Sequence, residues 1–226
     1  MTDTALLEAL HDPAMYPEPT TKVEVHETHI SVVLVTDHWA YKIKKPVNLG
    51  FLDYSTLERR RFYCLQELGL NRRLSPDIYL EVVAIHRDQQ HYVFNGNGPV
   101  VEYAVKMRRL PADCTLQAHL QRGTVAPQVL EELAHRLVAF HKIHLLPTLP
   151  ERFGSLAQVL ADWQENFVQT TGCIGHSLSQ QTYTQIRQAV IRFAERHPDW
   201  FAQRELEGRI RDCHGDLRAE HIYLLD

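Results

Sequence analysis

The sequence lacks the features that mark several whole classes of protein. No apolar run approaches the roughly 20 residues that a membrane-spanning helix needs, so no membrane partner is expected. The opening residues, Met1-Thr2-Asp3-Thr4-Ala5-Leu6-Leu7-Glu8, do not run basic then apolar as a secretory leader does. The four cysteines, Cys64, Cys114, Cys173 and Cys213, are scattered and form no CxxC pair. Neither a zinc ribbon nor a redox motif is therefore supported, and a reduced, cytoplasmic protein is the expected setting. Basic residues are not in excess: Lys and Arg number 24 against 28 Asp and Glu, a net charge of −4. A general nucleic-acid-binding surface is not expected from that balance. Internal repeats, low-complexity tracts and the GxxxxGK[ST] phosphate loop are also missing.

What is present is an ordinary globular composition, 44% hydrophobic and 23% charged over 226 residues. That length suits one large domain or two lobes sharing a cleft. Residues 3–11 read as a short amphipathic helix, ended by the proline-rich stretch Pro13 to Pro19. Strand-like runs follow at Lys22–His26, Ile30–Thr36 and Trp39–Lys44, with Asp37-His38 as the turn between the last two. A helix is expected from Ser55 to about Leu74, with Ser55 and Glu58 as a capping box and Ser75-Pro76 as its stop. Further strands are expected at Ile78–His86, His91–Phe94 and Val100–Met107. The first half thus reads as a mostly antiparallel sheet with one helix. The second half reads as helical, at Val129–His144, Ser155–Val168, Gln180–Arg196 and Asp199–Glu207.

Phosphoryl transfer asks a protein for a cation on the phosphates, a carboxylate that fixes this cation, a carboxylate at the acceptor hydroxyl, and metal ligands. The stretch Cys213-His214-Gly215-Asp216-Leu217-Arg218-Ala219-Glu220-His221, near the end of the sequence, holds a candidate for the acceptor end. Asp216 is placed to take the hydroxyl proton, and His214 to hold the loop by a hydrogen bond. Gly215 frees the backbone to turn between them, and Arg218 is placed to neutralise charge on the transferred phosphate. A chance His-Gly-Asp in a surface turn is the competing reading. The cation candidate is Lys42, which alternation puts on one strand face with Ala40 and Lys44, opposite Tyr41 and Ile43. A solvated basic edge strand competes with it, most strongly at Lys44 and Lys45. Glu67, on the following helix, is the preferred carboxylate partner, because capping already accounts for Glu58. The run Glu58-Arg59-Arg60-Arg61 reads as a solvated helix face. His141 and His144 read as structural groups rather than a metal site. Trp163 and Phe167 read as packing residues, with an acceptor cleft as the alternative.

Taken in order, Lys42, Glu67, the strand Glu102–Met107 leading into Arg108-Arg109-Leu110-Pro111, the segment Phe140-His141-Lys142-Ile143-His144, and His214-Gly215-Asp216-Leu217 resemble the aminoglycoside phosphotransferase-like branch of the protein-kinase-like fold. The stretches Tyr41–Phe51, Leu57–Tyr79 and Arg211–His221 look most like a subgroup of uncharacterised bacterial proteins within it. In that subgroup the domain is often followed by a P-loop ATPase or kinase domain. The resemblance covers roughly residues 20–226. It implies an α+β, bilobal fold, with an antiparallel nucleotide-binding lobe over 21–110 and a mainly helical lobe over 111–226, C-terminally incomplete; the N-terminal helix and linker over 1–20, read from the residues themselves, precede it.

By position, the resemblance implies that Lys42 meets the α- and β-phosphates of ATP and is held by Glu67. It makes Met107, Arg108, Arg109 and Leu110 the hinge against the adenine, Asp216 the base, and His221 a ligand for Mg2+ where an Asn is usual. It implies ATP-dependent phosphorylation of a small-molecule hydroxyl. These residues alone would be weakly active or inactive, because the second metal carboxylate of the family is not among the ten positions after Asp216. The turn Glu27-Thr28-His29 departs from the family in having no glycine, and offers the Thr28 and Ser31 hydroxyls instead. The alternative is a pseudokinase-like, nucleotide-binding regulatory module for a P-loop domain carried in a longer gene product.

Overall fold

Apolar and polar residues alternate through the first half, and such runs extend into strands when one face of each is buried. The structure is a computed structural model that describes residues 4–50, 52–89, 91–143 and 153–225. His144 and Asp226 lie outside the described residues. Six strands form one antiparallel sheet: β1 (Glu24–Glu27), β2 (Ser31–Val35), β3 (Trp39–Lys44), β4 (Tyr79–Asp88), β5 (His91–Phe94) and β6 (Val100–Arg108). Their spatial order is β1-β2-β3-β6-β4-β5. Strand β3 therefore lies inside the sheet, paired with β2 on one side and β6 on the other, and is not the basic edge that its lysines suggested. The tight turn from β5 into β6 uses Gly98 at φ +97°, where a Cβ would stand 2.5 Å from the Arg87 carbonyl oxygen.

One face of the sheet is closed by the N-terminal segment. Helix α1 (Thr4–Ala9) is followed by Leu10 and Tyr16, which join Leu6 in a core with Leu34, Tyr41, Ile43, Ile85 and Phe94. The rings of Tyr16, Tyr41 and Phe94 meet one another with centroids 4.9–5.4 Å apart. Tyr16 donates its hydroxyl to the Leu10 carbonyl at 2.7 Å, so its polar end is satisfied. Glu18 accepts the Tyr41 hydroxyl and pairs with Lys106, whose ammonium also lies over the Trp39 ring. Residues 4–20 are thus one side of the sheet's core rather than a separate linker.

Helix α2 (Leu57–Arg72) packs against β6 and β4. Its cap falls one residue later than expected: the Thr56 hydroxyl, not that of Ser55, accepts the Arg59 amide at 3.2 Å. The arginine run is not a solvated face throughout, because Arg60 is buried and bonds through Nε to both carboxylate oxygens of Glu102 at 2.9 Å.

The chain divides into two units, one of residues 1–124 with 218–226, the other of 125–217. The division at Thr124, later than Leu110, follows from an unforeseen helix and an unforeseen pairing. Helix α3 (Leu116–Arg122) is capped by the Thr115 hydroxyl, and the bridge Thr115↔Tyr223, with Leu116 N–Ile222 O at 2.7 Å and Leu224 N–Cys114 O at 2.8 Å, ties it to the tail. The second unit holds α4 (Pro127–Ile143), α5 (Leu156–Thr170), α6 (Gln180–Arg196) and α7 (Pro198–Leu206), with α5 packed on α6 and α7. Ser155 and Ser179 cap α5 and α6 through their hydroxyls. Among the described residues no helix is long and apolar enough to cross a membrane.

Candidate functional site

The alternation of β3 turns Lys42 and Lys44 toward α2 from one strand face, and Glu67 is the carboxylate they both meet. Lys42 Nζ lies 2.8 Å from Glu67 Oε1, and Lys44 Nζ lies 2.6 Å from Oε2. The sequence pairing of Lys42 with Glu67 is thus present, and Lys44, for which a solvated edge was the stronger competing reading, is part of the same cluster. Its side chain is 5% exposed, against 32% for Lys42. Lys45 is partly buried and pairs instead with the exposed Glu27, at 2.8 Å. The alternation 40, 42, 44 was the signal for Lys44; what it could not supply was that β3 is flanked on both sides.

Burial opposes ionisation of Glu67, yet the two ammonium groups outweigh it and hold the carboxyl below its ordinary value. Burial likewise opposes the charge on Lys44, but Glu67 raises its pKa overall. Tyr54 completes the wall, its ring centroid 4.9 Å from Lys44 Nζ and its hydroxyl 3.5 Å away. Cys64 and Tyr79 are close enough to feel these charges. Burial pushes the Cys64 thiol up to about 12, and burial, with Glu67 and Tyr223 nearby, pushes the Tyr79 hydroxyl up to about 12. None of Tyr54, Cys64, Tyr79 and Tyr223 carries a sequence pattern that marks it for this place.

The hinge candidates sit where β6 leaves the sheet. Met107 pairs with Ala40 and Tyr79. The amides of Arg108 and Arg109 are engaged by Ile78 O and His38 O, each at 2.9 Å, so neither is a spare donor for a base edge. The Arg109 guanidinium is turned to Thr36 O at 2.8 Å and to Glu24 at 3.5 Å. Leu110 is the hinge candidate that lies past this pairing. In the turn from β1 to β2, Thr28 Oγ1 accepts the Ser31 amide at 3.0 Å, which commits the hydroxyl to shaping the turn.

The terminal loop spans the division between the units. In the second unit, the Asp216 amide donates to His214 Nδ1 at 3.3 Å, and Gly215 takes φ +80°, a left-handed conformation that favours glycine. In the first unit, Arg218 pairs with Glu220 at 2.7 Å and meets His221 Nε2 at 3.2 Å. That guanidinium repels a divalent ion from the same nitrogen. Among the described residues no three His, Cys, Asp or Glu side chains are gathered into a metal-holding group. An imidazole nitrogen beside a guanidinium is a poor match for the hard Mg2+ ion, which prefers oxygen ligands. Elsewhere, the His141 ring lies with its centroid 5.6 Å from that of Phe140. Trp163 and Phe167 line an apolar recess of about 310 Å³ with Leu160, Val190 and Ile191, all within the helical unit.

The chain is 30% identical over 204 residues to Uncharacterized protein Rv2004c of Mycobacterium tuberculosis and, at the same identity, to Uncharacterized protein Mb2027c of Mycobacterium bovis. The alignment covers 90% of this chain and 39% of each relative, so the chain spans about two fifths of their length. No family model matches the chain, and no solved structure does.

Proposed function

We propose that this chain is the nucleotide-binding and acceptor-activating part of an aminoglycoside phosphotransferase-like enzyme, with a bilobal, protein-kinase-like arrangement, acting on the hydroxyl of a small molecule. The observation that carries the reading is the Lys42–Glu67 ion pair at 2.8 Å. A strand lysine and a helix carboxylate 25 residues apart meet in a largely buried site whose reachable member is Lys42, with positive charge to spare. In this reading Lys42 holds the phosphates of ATP, and Asp216 takes the acceptor's proton. The acceptor oxygen bonds to the γ-phosphorus as the bond to the bridging oxygen breaks, and ADP leaves with that electron pair. The Asp216–Gly215–His214 turn supports the role of Asp216 by fixing its backbone. A magnesium ion would accompany ATP and neutralise charge on its phosphates.

A second reading is favoured by particular observations: a pseudokinase-like nucleotide-binding module serving another domain, such as a P-loop ATPase, in a longer gene product. The turn before β2 has Thr28 committed internally, and His221 faces Arg218. Calorimetry with ATP, followed by turnover assays over a panel of hydroxylated metabolites, separates the two. The enzyme reading expects Asp216→Asn to bind ATP like the parent and to lose turnover by about 100-fold or more. ATP binding without turnover for any acceptor, in a protein of the relatives' full length, favours the regulatory reading. No binding of ATP at millimolar concentration ends both.

A further inference from the structure

Two ammonium groups share one carboxylate in the first unit, and their burial is unequal. Lys44 and Glu67 are 5% and 12% exposed in their side chains, while Lys42 is 32% exposed. Each lysine has its own oxygen of Glu67, Oε1 for Lys42 and Oε2 for Lys44. The cluster therefore carries one surplus positive charge, and the reachable cation is the one that holds it.

The arrangement changes what happens when Lys42 leaves. With a single lysine on Glu67, moving it onto an anion would strand a buried carboxylate, a costly outcome. With Lys44 clamped on Oε2 and walled in by Tyr54, the carboxylate stays neutralised, and Lys42 is released at little cost. We propose that Lys44 is a positioning residue: it holds Glu67 so that Lys42 is handed to an incoming polyphosphate. The inference rests on Lys42 being the phosphate cation, as proposed above, and adds Lys44 as the group that sets its availability.

The test uses inorganic tripolyphosphate and ATP as separate probes in calorimetry at fixed ionic strength. Lys42→Met should lose affinity for both. Lys44→Met, which leaves Lys42 as the sole counter-ion of Glu67, should bind tripolyphosphate about tenfold more weakly. The Lys44→Met/Glu67→Gln double variant regains the surplus charge and should recover to within about threefold of the parent. A Lys44→Met protein that binds like the parent overturns the proposal. So does a cooperatively melting double variant that binds no better than Lys44→Met.

A measurement on the unaltered protein guards against misfolded variants. Amine acetylation mapped by mass spectrometry should modify Lys42, with protection by tripolyphosphate, and should leave Lys44 unmodified in both states. Equal labelling of the two lysines overturns the proposal. If tripolyphosphate follows this pattern and ATP does not bind, the nucleotide reading falls and the role of Lys44 stands. If ATP binding depends on Lys42 and is indifferent to Lys44→Met, the reverse holds. Binding of neither probe ends both.

Discussion

Arg60 Nε lies 2.9 Å from each carboxylate oxygen of Glu102, and both side chains are buried where α2 meets β6. The guanidinium also donates to Tyr54 O at 3.1 Å, and Glu102 accepts the Tyr103 amide at 3.0 Å. Burial raises the Glu102 pKa on balance, despite the opposing pull of Arg60. This pair fixes the helix that carries Glu67. Glu102→Ala should therefore cost about 3 kcal/mol, because it strands a buried cation. An Arg60→Met/Glu102→Met double variant should recover most of that loss. Urea denaturation of the three proteins checks it, and a double variant no more stable than Glu102→Ala would refute it.

The Glu67 carboxyl, held below its ordinary value by two lysines, makes stability depend on pH in a defined direction. The unfolded chain binds a proton at a higher pH than the folded one, so the contribution is full above the ordinary value of 4.5 and is lost as the pH falls through the folded value. Glu67→Gln should be destabilised at pH 7 by roughly 2 kcal/mol, and the gap to the parent should narrow below about pH 4.5. A gap that stays constant with acidification would show that the charge of Glu67 is not its source. Glu102, with its pKa raised, works in the opposite sense and loses favour as the pH rises, so the comparison must be made against the matched variant.

Helix α2 offers a test of the single-residue shift in its cap. Thr56→Ala removes the acceptor for the Arg59 amide and should cost about 1 kcal/mol, while Ser55→Ala should cost under about 0.5 kcal/mol. Thermal melts of the two variants distinguish the caps, and equal losses would restore Ser55.

The N-terminal segment should behave as core. Leu10 is 0% exposed among the tyrosines of the sheet, whereas Leu206 is 88% exposed at the end of α7. Leu10→Ala should cost about 3 kcal/mol and Leu206→Ala less than about 0.5 kcal/mol. Similar denaturation midpoints for the two would mean that residues 4–20 do not close the sheet.

Thiol labelling should report the same burial. Cys64 is buried with its thiol pushed up to about 12, while Cys173 and Cys213 are exposed. At pH 8 a maleimide should modify Cys173 and Cys213 within minutes and Cys64 only on unfolding, as followed by peptide mass spectrometry. Rapid loss of the Cys64 thiol in the folded protein would contradict the packing of α2 on β6.

Much of the first half was legible because strand and helix periods are local. The runs Trp39–Lys44 and His91–Phe94 and the helix Gln180–Arg196 begin and end where their patterns do. Helix α3 was not legible, since seven residues leave little periodicity and its stability comes from pairing with the tail. Arg60 looked solvated because a basic run on a helix usually is, and only the approach of Glu102 gives its charge a buried partner. Lys44 looked like an edge residue because sequence does not tell which strands lie beside a given one. That order, β2 on one side and β6 on the other, depends on β3 pairing with β6 across 61–69 residues of chain.

The sequence by itself determined the types of the longer elements and the face that each β3 side chain takes, because these follow from backbone periods, and it offered Glu67 as the partner of Lys42. Only the tertiary structure decided that Glu67 serves two lysines, that the N-terminal segment is core, and that the tail beyond Arg218 belongs with the sheet-bearing unit. Those outcomes depend on which surfaces are covered, and coverage is a property of packing between segments distant in the chain.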